Sequence, residues 1–220
     1  MGHYPPPPPR RKNKQLLRKH RTEWTLARKS VFSRRLQASC HTMSELSATR
    51  QIRVSPTAVR KLYTLFLVRK RDKVLLGMKK RGFGAGKWNG FGGKVDPGET
   101  IDQAAIRELK EESGLEVATF HKFAVITFEF VEGDHIMEGH IYTSNEPVGE
   151  PVETEEMLPQ WYPINKVPFD KMWQDDKFWF PLWESGKRFV AYFKFQNNDI
   201  LLDQTIREIS DDSQKLEPMC

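Results

Sequence analysis

The stretch from Gly93 to Leu115 reads GKVDPGETIDQAAIRELKEESGL and holds the most informative pattern in the chain. The Pro97–Gly98 pair predicts a turn. Thr100, followed three residues later by Gln103, forms a capping box, which predicts that a helix starts at Thr100. Gly114 predicts the end of this helix, because glycine readily adopts the left-handed conformation that closes helices.

The predicted helix carries both an apolar face and a cluster of acids. Its apolar positions are Ile101, Ala104, Ala105 and Leu109. Glu108, Glu111 and Glu112 follow one another at spacings that place them on adjacent faces of two helical turns. One interpretation is a solvated acidic surface. The other is a site for Mg²⁺ or Mn²⁺, since these cations prefer carboxylate oxygens and share phosphate ligands with substrates.

The spacing of the whole stretch favours the metal interpretation. It contains Gly93, five residues, Glu99, seven residues, Arg107-Glu108-Leu109, one residue, Glu111-Glu112, one residue and Gly114-Leu115. This pattern resembles the Nudix box, and every fixed position of the box is filled. The resemblance implies an α/β Nudix fold in which a mixed β-sheet is sandwiched between helices (α/β/α). It also implies hydrolysis of a nucleoside diphosphate linked to another group, assisted by a divalent cation.

The same resemblance implies roles for individual residues. Glu108, Glu111 and Glu112 would bind Mg²⁺, with Mn²⁺ as a substitute, and would form the catalytic set. Either Glu112 or a residue outside the box would deprotonate the attacking water. Glu156, from a later loop, is the candidate for a further metal ligand. Three consecutive residues would lie close to the phosphates or the metal, namely Gly92, Gly93 and Lys94, with Gly92 counted among the metal ligands.

Segments outside the box narrow the resemblance to one branch of the family. Over about residues 60–209 the chain is similar to the animal MutT homologues, on the segments Leu62–Val68, Val74–Val95, Phe128–Phe130 and Met172–Pro181. That branch implies a monomer that hydrolyses oxidised purine nucleoside triphosphates, such as 8-oxo-dGTP and 2-oxo-dATP, to the monophosphate and pyrophosphate. Its purpose would be to remove mutagenic precursors before a polymerase can incorporate them.

The aromatic and acidic residues in these segments suit a flat, polar base. Phe128 and Phe130 share one face of a predicted strand, and Asp175 lies four residues before Trp179 in a possible helix. Aromatic rings stack on a base and carboxyl groups hydrogen-bond its edge, although such aromatics are often simply core residues. By resemblance, the purine pocket comprises Thr64, Lys79, Phe83, Asn89, Phe91, Phe128, Met137, Trp173, Asp175, Asp176 and Trp179, and Trp173 stacks on the base.

The adjacent acids Asp175 and Asp176 suggest how one pocket could read two bases. Two neighbouring carboxyl groups in an aromatic pocket resist ionising together, so one of them can keep its proton. A protonated carboxyl donates a hydrogen bond, whereas an ionised one only accepts. We therefore expect that redistributing protons over this pair accommodates both 8-oxoguanine and 2-oxoadenine.

The charge of the chain is divided between two regions. The net charge of the 220 residues is +6, yet residues 1–58 hold 13 of the 35 basic residues and two of the 29 acids. Residues 1–58 therefore form a basic, proline-rich extension with a net charge of +11. Residues 59–220, which contain the domain, carry a net charge of −5. We place that domain at residues 59–210, followed by a flexible tail at 211–220. The domain's acidity argues against a stable nucleic-acid partner.

The basic extension allows several interpretations. It opens with Pro5–Pro9 and continues with an arginine-rich, acid-poor region. It could be disordered, a mitochondrial targeting segment, or an arm that binds nucleic acid. The expected location is the cytoplasm, with possible mitochondrial and nuclear pools. Only two cysteines are present, Cys40 and Cys220, which excludes a disulfide scaffold, and no apolar run approaches the roughly 20 residues of a membrane span.

Two other functional classes remain open. One is a Nudix enzyme with another substrate, such as ADP-ribose, a dinucleotide polyphosphate or an RNA cap. The other is a catalytically silent Nudix domain that binds nucleic acid, against which the intact box and the negative charge of the domain both count.

The remaining predicted elements are five strands and one helix. The strands are Leu62–Val68, Val74–Lys79, Phe120–Val131, His135–Thr143 and Arg188–Phe195, and the helix is Asp175–Trp183. A proline-rich connection is expected around Pro147, Pro151, Pro159 and Pro163.

Overall fold

A computed structural model describes residues 59–197, 199–211 and 213–219 of the chain. The basic extension lies outside these residues, so its predicted targeting or nucleic-acid-binding role stays a prediction. In the described part of the chain, no helix combines the length and apolar character needed to cross a membrane.

The described residues form ten strands, two α-helices and two short 3₁₀ turns. The strands are β1 (Val59–Lys70), β2 (Lys73–Lys79), β3 (Trp88–Asn89), β4 (Glu116–Val117), β5 (His121–Phe130), β6 (His135–Ser144), β7 (Pro147–Val148), β8 (Met157–Pro163), β9 (Arg188–Gln196) and β10 (Ile200–Ile209). The helices are α1 (Ile101–Ser113) and α2 (Asp176–Glu184), and the 3₁₀ turns are Ile164–Lys166 and Phe169–Lys171.

Eight of the strands form one mixed sheet. Its order is β10-β9-β5-β6-β1-β2-β3, and β8 also pairs with β2. The pairs β1–β6 and β5–β9 are parallel, whereas the other pairs are antiparallel. Strands β4 and β7 form a separate small sheet. The predicted mixed sheet is confirmed.

The two helices cover opposite faces of the sheet. On one face, Leu109 of α1 packs in a cluster with Phe66 and Phe91. On the other face, Trp179 of α2 packs in a larger cluster that includes Phe189. Because successive residues of a strand point to opposite faces, the alternating apolar residues of the central strands supply both clusters. The structure therefore has the predicted α/β/α arrangement.

Both ends of α1 have the caps that the sequence predicts. Thr100 accepts a hydrogen bond at its hydroxyl from the backbone N–H of Gln103, and the Gln103 side chain accepts one from the backbone N–H of Thr100. Gly114 adopts a φ of 74° at the other end, and its N–H donates to the carbonyl of Lys110. The helix that carries the box is thus fixed at both ends by local sequence.

Five of the ten described strands were not predicted: the two-residue strands β3, β4 and β7, and two longer strands, β8 and β10. The expected proline-rich connection is wrong for three of its four prolines. Pro147 lies in β7, and Pro159 and Pro163 lie in β8, where they pair with Gly77 and Lys73 of β2. In the described part of the chain β8 pairs only with β2, and an edge strand tolerates residues without an N–H. The other long strand that was not predicted is β10, at Ile200–Ile209, where polar residues interrupt the apolar pattern.

The described part of the C-terminal segment contacts the sheet. Leu216 and Met219 pack against Val125 and Val190, and the flexibility expected of residues 211–220 stays a prediction. The hydroxyl of Thr127 also donates to the Met219 carbonyl at 3.2 Å. The segment covers the face of β5 and β9 that is turned away from α2, because these sheet residues alternate with those of the larger cluster.

Candidate active site

A cavity of about 550 Å³ opens into the sheet beside α2, a size typical of small-molecule sites. Strands β1, β2, β3, β5 and β6 contribute to its walls, together with the glycine-rich loop after β2 and the segment before α2. Thirteen residues that the sequence placed at the site line the cavity: Thr64, Lys79, Phe83, Asn89, Gly92, Gly93, Phe128, Met137, Glu156, Trp173, Asp175, Asp176 and Trp179.

Two predicted binding residues lie elsewhere. Phe91 is fully buried in the cluster beneath α1, so its side chain serves the core instead of the cavity. Lys94 is also outside the cavity lining, and its carbonyl accepts a hydrogen bond from Arg107 at 3.3 Å. The sequence pattern could not separate these two residues from their neighbours, since successive residues of an extended segment point in opposite directions.

The C-terminal part of α1 brings Glu112 against two residues of the cavity lining, although Glu112 itself does not line the cavity. Its carboxylate is only 2% exposed and accepts hydrogen bonds from the Gly92 N–H at 2.8 Å and the Lys79 ammonium at 3.3 Å. Burial raises the pKa of Glu112, and these two contacts act in the opposite direction. Glu112 is therefore a buried carboxyl that touches two cavity-lining residues, which is the setting expected of a catalytic acid or base.

Gly93 permits the close approach of a second box carboxylate. A Cβ atom on Gly93 would lie 2.5 Å from the nearer carboxylate oxygen of Glu108, so any side chain there would displace this carboxylate. Burial also raises the pKa of Glu108, while Arg107 lowers it. The backbone at Gly92 and Gly93 consequently runs directly past the carboxylates of Glu108 and Glu112.

Arg107 organises the remaining box acids. Its guanidinium binds both oxygens of Glu99, at 2.6 and 3.0 Å, and also contacts Glu108 at 2.9 Å and Glu111 at 3.0 Å. The hydrogen bonds that Arg107 donates lower the pKa of Glu99 to about 2, and Glu99, by accepting them, raises the pKa of Arg107. The fixed arginine of the box thus offsets the repulsion among the three acids that it contacts.

The box acids fit a divalent cation in their chemistry. In the part of the chain that the structure describes, no three acidic, histidine or cysteine side chains converge closely enough to hold an ion as they stand. Arg107 and Lys79 hold these carboxylates instead, and Glu111 is 60% exposed. The donors nevertheless are carboxylate oxygens close to the backbone of Gly92 and Gly93, and such oxygens suit Mg²⁺. A cation bound there would replace part of these ion pairs.

The cavity lining also includes a pair of buried aspartates, Asp175 and Asp176. The Trp179 indole N–H donates to Asp175 at 3.0 Å, and the Trp173 backbone N–H donates to Asp176 at 2.9 Å. Burial raises the pKa of Asp175 to about 6. Burial raises the pKa of Asp176 well above its usual range, and the charge of Asp175 adds to this effect, whereas Lys87 opposes it.

The aromatic wall is centred on Trp173. The Phe83 ring stacks on the indole with centroids 5.0 Å apart and planes inclined by 24°. Phe130 meets Phe83 edge-on at 5.8 Å. These contacts join the glycine-rich loop to the segment before α2, so the cavity presents aromatic faces close to the two buried acids.

Other cavity residues were missed by the sequence analysis. Lys87 lies two residues before Asn89, so the alternation of an extended segment was the signal that could have revealed it. Arg81 lines the cavity and holds Glu156 at 2.6 Å, a pairing across the fold that no local pattern contains. Thr64 was predicted, and its hydroxyl is the one buried side-chain polar atom that lacks a hydrogen-bond partner within the described residues.

Comparison with known families agrees with this site. The model of the NUDIX domain matches residues 60–183, which span β1 to the end of α2 and include the entire box. The chain therefore belongs to the Nudix hydrolase family.

Two animal enzymes and one solved bacterial structure are similar to this chain. The chain is 57% identical over 151 residues to the oxidized purine nucleoside triphosphate hydrolase of Danio rerio, covering 69% of this chain and 97% of that protein. It is 54% identical over 149 residues to the mouse protein of the same name, covering 68% and 96%. The solved structure of a MutT protein from Bacillus halodurans matches with a TM-score of 0.60 and 26% identity, over 66% of this chain and 97% of that one.

Proposed function

We propose that this Nudix hydrolase converts oxidised purine nucleoside triphosphates, with 8-oxo-dGTP and 2-oxo-dATP as the main substrates, to the monophosphate and pyrophosphate. The observation that carries the proposal is one cavity that adjoins two chemically different groups of residues. Buried acids and aromatic rings in its lining suit a purine. The box carboxylates, which lie directly behind the lining residues Lys79, Gly92 and Gly93, suit phosphates bound through a metal. The names of the two similar animal enzymes support the same substrate class.

The phosphate end supplies the chemistry. Glu108, Glu111 and Glu112 would hold Mg²⁺, together with the Gly92 carbonyl and Glu156. A bound divalent cation neutralises phosphate charge and acidifies a coordinated water. Glu112 takes up the proton of the attacking water, because burial raises its pKa and makes it a stronger base than an exposed glutamate. Attack on the β-phosphorus breaks its bond to the oxygen shared with the α-phosphorus and releases pyrophosphate.

The base end selects the substrate. Trp173 stacks on the purine, while Asp175 and Asp176 bind its edge with one proton shared between them. Phe83, Phe128 and Met137 pack around the ring, Trp179 fixes Asp175, and Asn89 offers both a donor and an acceptor. Lys79 lies between Glu112 and the cavity, where its charge would meet a phosphate. Two neighbouring acids with raised pKa values can present either a donor or an acceptor, as the two oxidised bases require.

A substrate panel tests the proposal. The purified chain is assayed with 8-oxo-dGTP, 2-oxo-dATP, undamaged dGTP, ADP-ribose and a dinucleotide polyphosphate, with and without Mg²⁺, and the products are identified. We expect oxidised triphosphates to give the highest kcat/KM and to yield pyrophosphate. Higher activity with ADP-ribose or the dinucleotide would favour another Nudix activity, and salt-dependent RNA binding without turnover would favour the silent module.

Metal identity, oligomeric state and location complete the proposal. We expect Mg²⁺ to give the highest activity with Mn²⁺ as a substitute, and a monomer by light scattering. We also expect a cytoplasmic protein with mitochondrial and nuclear pools, in which residues 1–58 direct a share to mitochondria. Fusion of the chain to a reporter, with and without these residues, tests that expectation by microscopy.

A further inference from the structure

Lys87 makes two contacts that the proposed chemistry does not use. Its ammonium lies 4.9 Å from the centroid of the Trp173 indole, within the range of a cation–π interaction. The same ammonium lies 2.8 Å from a carboxylate oxygen of Asp199, in the turn that joins β9 to β10. Lys87 therefore connects the wall of the cavity to a turn that is distant in sequence.

The same end of the sheet contacts the Trp173 segment at two further points. The Leu201 backbone N–H donates to the side-chain oxygen of Gln174, the neighbour of Trp173, at 3.3 Å. Phe195 of β9 meets the Trp173 ring edge-on, with centroids 6.4 Å apart and planes at 74°. The position of the indole is thus set by the end of the β9–β10 hairpin as well as by its own segment.

The two contacts of Lys87 differ in strength. Asp199 is 63% exposed, so the ion pair alone contributes little. Lys87 is 28% exposed, and its charge above the ring gains more because that contact is shielded from water. Asp199 acts mainly by restricting the long, flexible lysine side chain to the orientation in which its ammonium lies 4.9 Å from the centroid of the indole.

We propose that Lys87, oriented by Asp199, is a positioning residue that fixes the plane of Trp173 for stacking on the purine. The inference rests on the proposed function, because it requires a base in this cavity. It extends that function by assigning part of the base affinity to a residue outside the box and outside the aspartate pair.

Product binding and steady-state kinetics test the proposal in the full chain. Lys87→Met keeps most of the side-chain volume and removes the charge. We expect it to weaken 8-oxo-dGMP binding, measured by calorimetry without metal, by about three- to tenfold. KM for 8-oxo-dGTP should rise similarly while kcat stays within about twofold. Lys87→Arg should restore binding, because a guanidinium also lies favourably over an indole.

Matched variants separate positioning from general stability. Lys187→Met removes a similar exposed pair with Glu208 and should leave Kd and KM unchanged. Asp199→Asn should weaken binding about twofold alone and should add nothing to Lys87→Met, because both act through the same contact.

Several results would overturn the inference. Wild-type affinity in Lys87→Met, failure of Lys87→Arg to restore binding, or a change confined to kcat would each contradict a positioning role. If the wild type binds 8-oxo-dGMP and Lys87→Met binds it equally well, only this inference fails. If the wild type binds no oxidised purine, the proposed function fails together with it.

Discussion

The carboxylate of Glu112 is buried, accepts a hydrogen bond from a backbone N–H and forms an ion pair with a lysine. Its position follows from the helix, which places it one residue beyond Glu111 and therefore on the inner side. Glu111 is 60% exposed, whereas Glu112 is buried against the cavity-lining residues Lys79 and Gly92. The box thus distributes unlike environments among three acids of the same type.

Replacing Glu112 tests its role as the base. We expect Glu112→Gln to lower kcat for 8-oxo-dGTP by about 100-fold or more, since loss of a general base costs that much, while 8-oxo-dGMP binding changes little. Glu116→Gln is the matched control, because Glu116 is an exposed acid paired with Lys110. Retention of full activity in Glu112→Gln would move the general base to another residue.

The proton hypothesis for Asp175 and Asp176 predicts unequal effects on two substrates. Asparagine at either position fixes an amide where the native carboxyl could donate or accept. We expect Asp175→Asn and Asp176→Asn to change the ratio of kcat/KM for 8-oxo-dGTP and 2-oxo-dATP in different directions, and this ratio should vary with pH less than in the wild type. Equal losses toward both substrates, in both variants and at every pH, would argue against proton redistribution.

Asp175 also makes the free energy of unfolding depend on pH. Its pKa is about 6 in the folded protein, against 3.8 in an exposed setting. Between these values the folded state binds more protons than the unfolded state, so the contribution of Asp175 to stability falls as the pH rises from about 4 to 6. Urea unfolding of Asp175→Asn should show a weaker decline over this interval, and an unchanged decline would contradict the assignment.

At the scale of elements, the N-cap of α1 allows the contribution of local sequence to stability to be measured. We expect Thr100→Ala to lower the free energy of unfolding by about 1 kcal/mol, because it removes the hydroxyl that caps the helix. Thr119→Ala is the control, since it removes an exposed hydroxyl that bonds to Glu146, and it should change stability by less than about 0.5 kcal/mol. Equal effects in urea titrations would show that the capping box contributes nothing.

Local signals account for the elements that were predicted correctly. The caps at Thr100 and Gly114 lie within a few residues of the helix that they fix. Strands β5 and β6 follow from alternating apolar residues, within a residue or two at each end. Strand β8 could not be predicted in this way, because its prolines are acceptable only at a sheet edge, and the sequence does not state which strands lie there.

The same limit applies to the candidate site. The box spacing predicts that the carboxylates lie on one helix, and the flanking resemblance supplies the residues that line the cavity. Neither distinguishes the buried Phe91 from its cavity-lining neighbour Gly92, which depends on the direction of each side chain. Lys87 and Asp199 were missed because their contact joins the residue before β3 to a turn more than 100 residues away.

At the scale of the whole molecule, the C-terminal segment is predicted to support the fold without serving the cavity. Removing residues 211–220 should lower the free energy of unfolding by about 1–3 kcal/mol, because Leu216 and Met219 lose their partly buried contacts with the sheet. The kcat of the folded fraction should stay unchanged, since these contacts lie on the opposite face. Loss of kcat without loss of stability would contradict this separation.

The division of charge also belongs to this scale. The net charge of +6 describes neither region of the chain, because residues 1–58 carry +11 and the rest carries −5. The box acids contribute to the negative region, in which Arg107 and Lys79 compensate part of their charge. The overall basicity is therefore a property of the extension and gives no reason to expect nucleic-acid binding by the domain.

The most direct test of the account is a comparison of 8-oxo-dGTP with dGTP, with kcat/KM and products measured in the same Mg²⁺ buffer. We predict a preference for 8-oxo-dGTP of at least about tenfold and stoichiometric release of 8-oxo-dGMP and pyrophosphate. Equal kcat/KM for the two nucleotides, or release of inorganic phosphate in place of pyrophosphate, would contradict it.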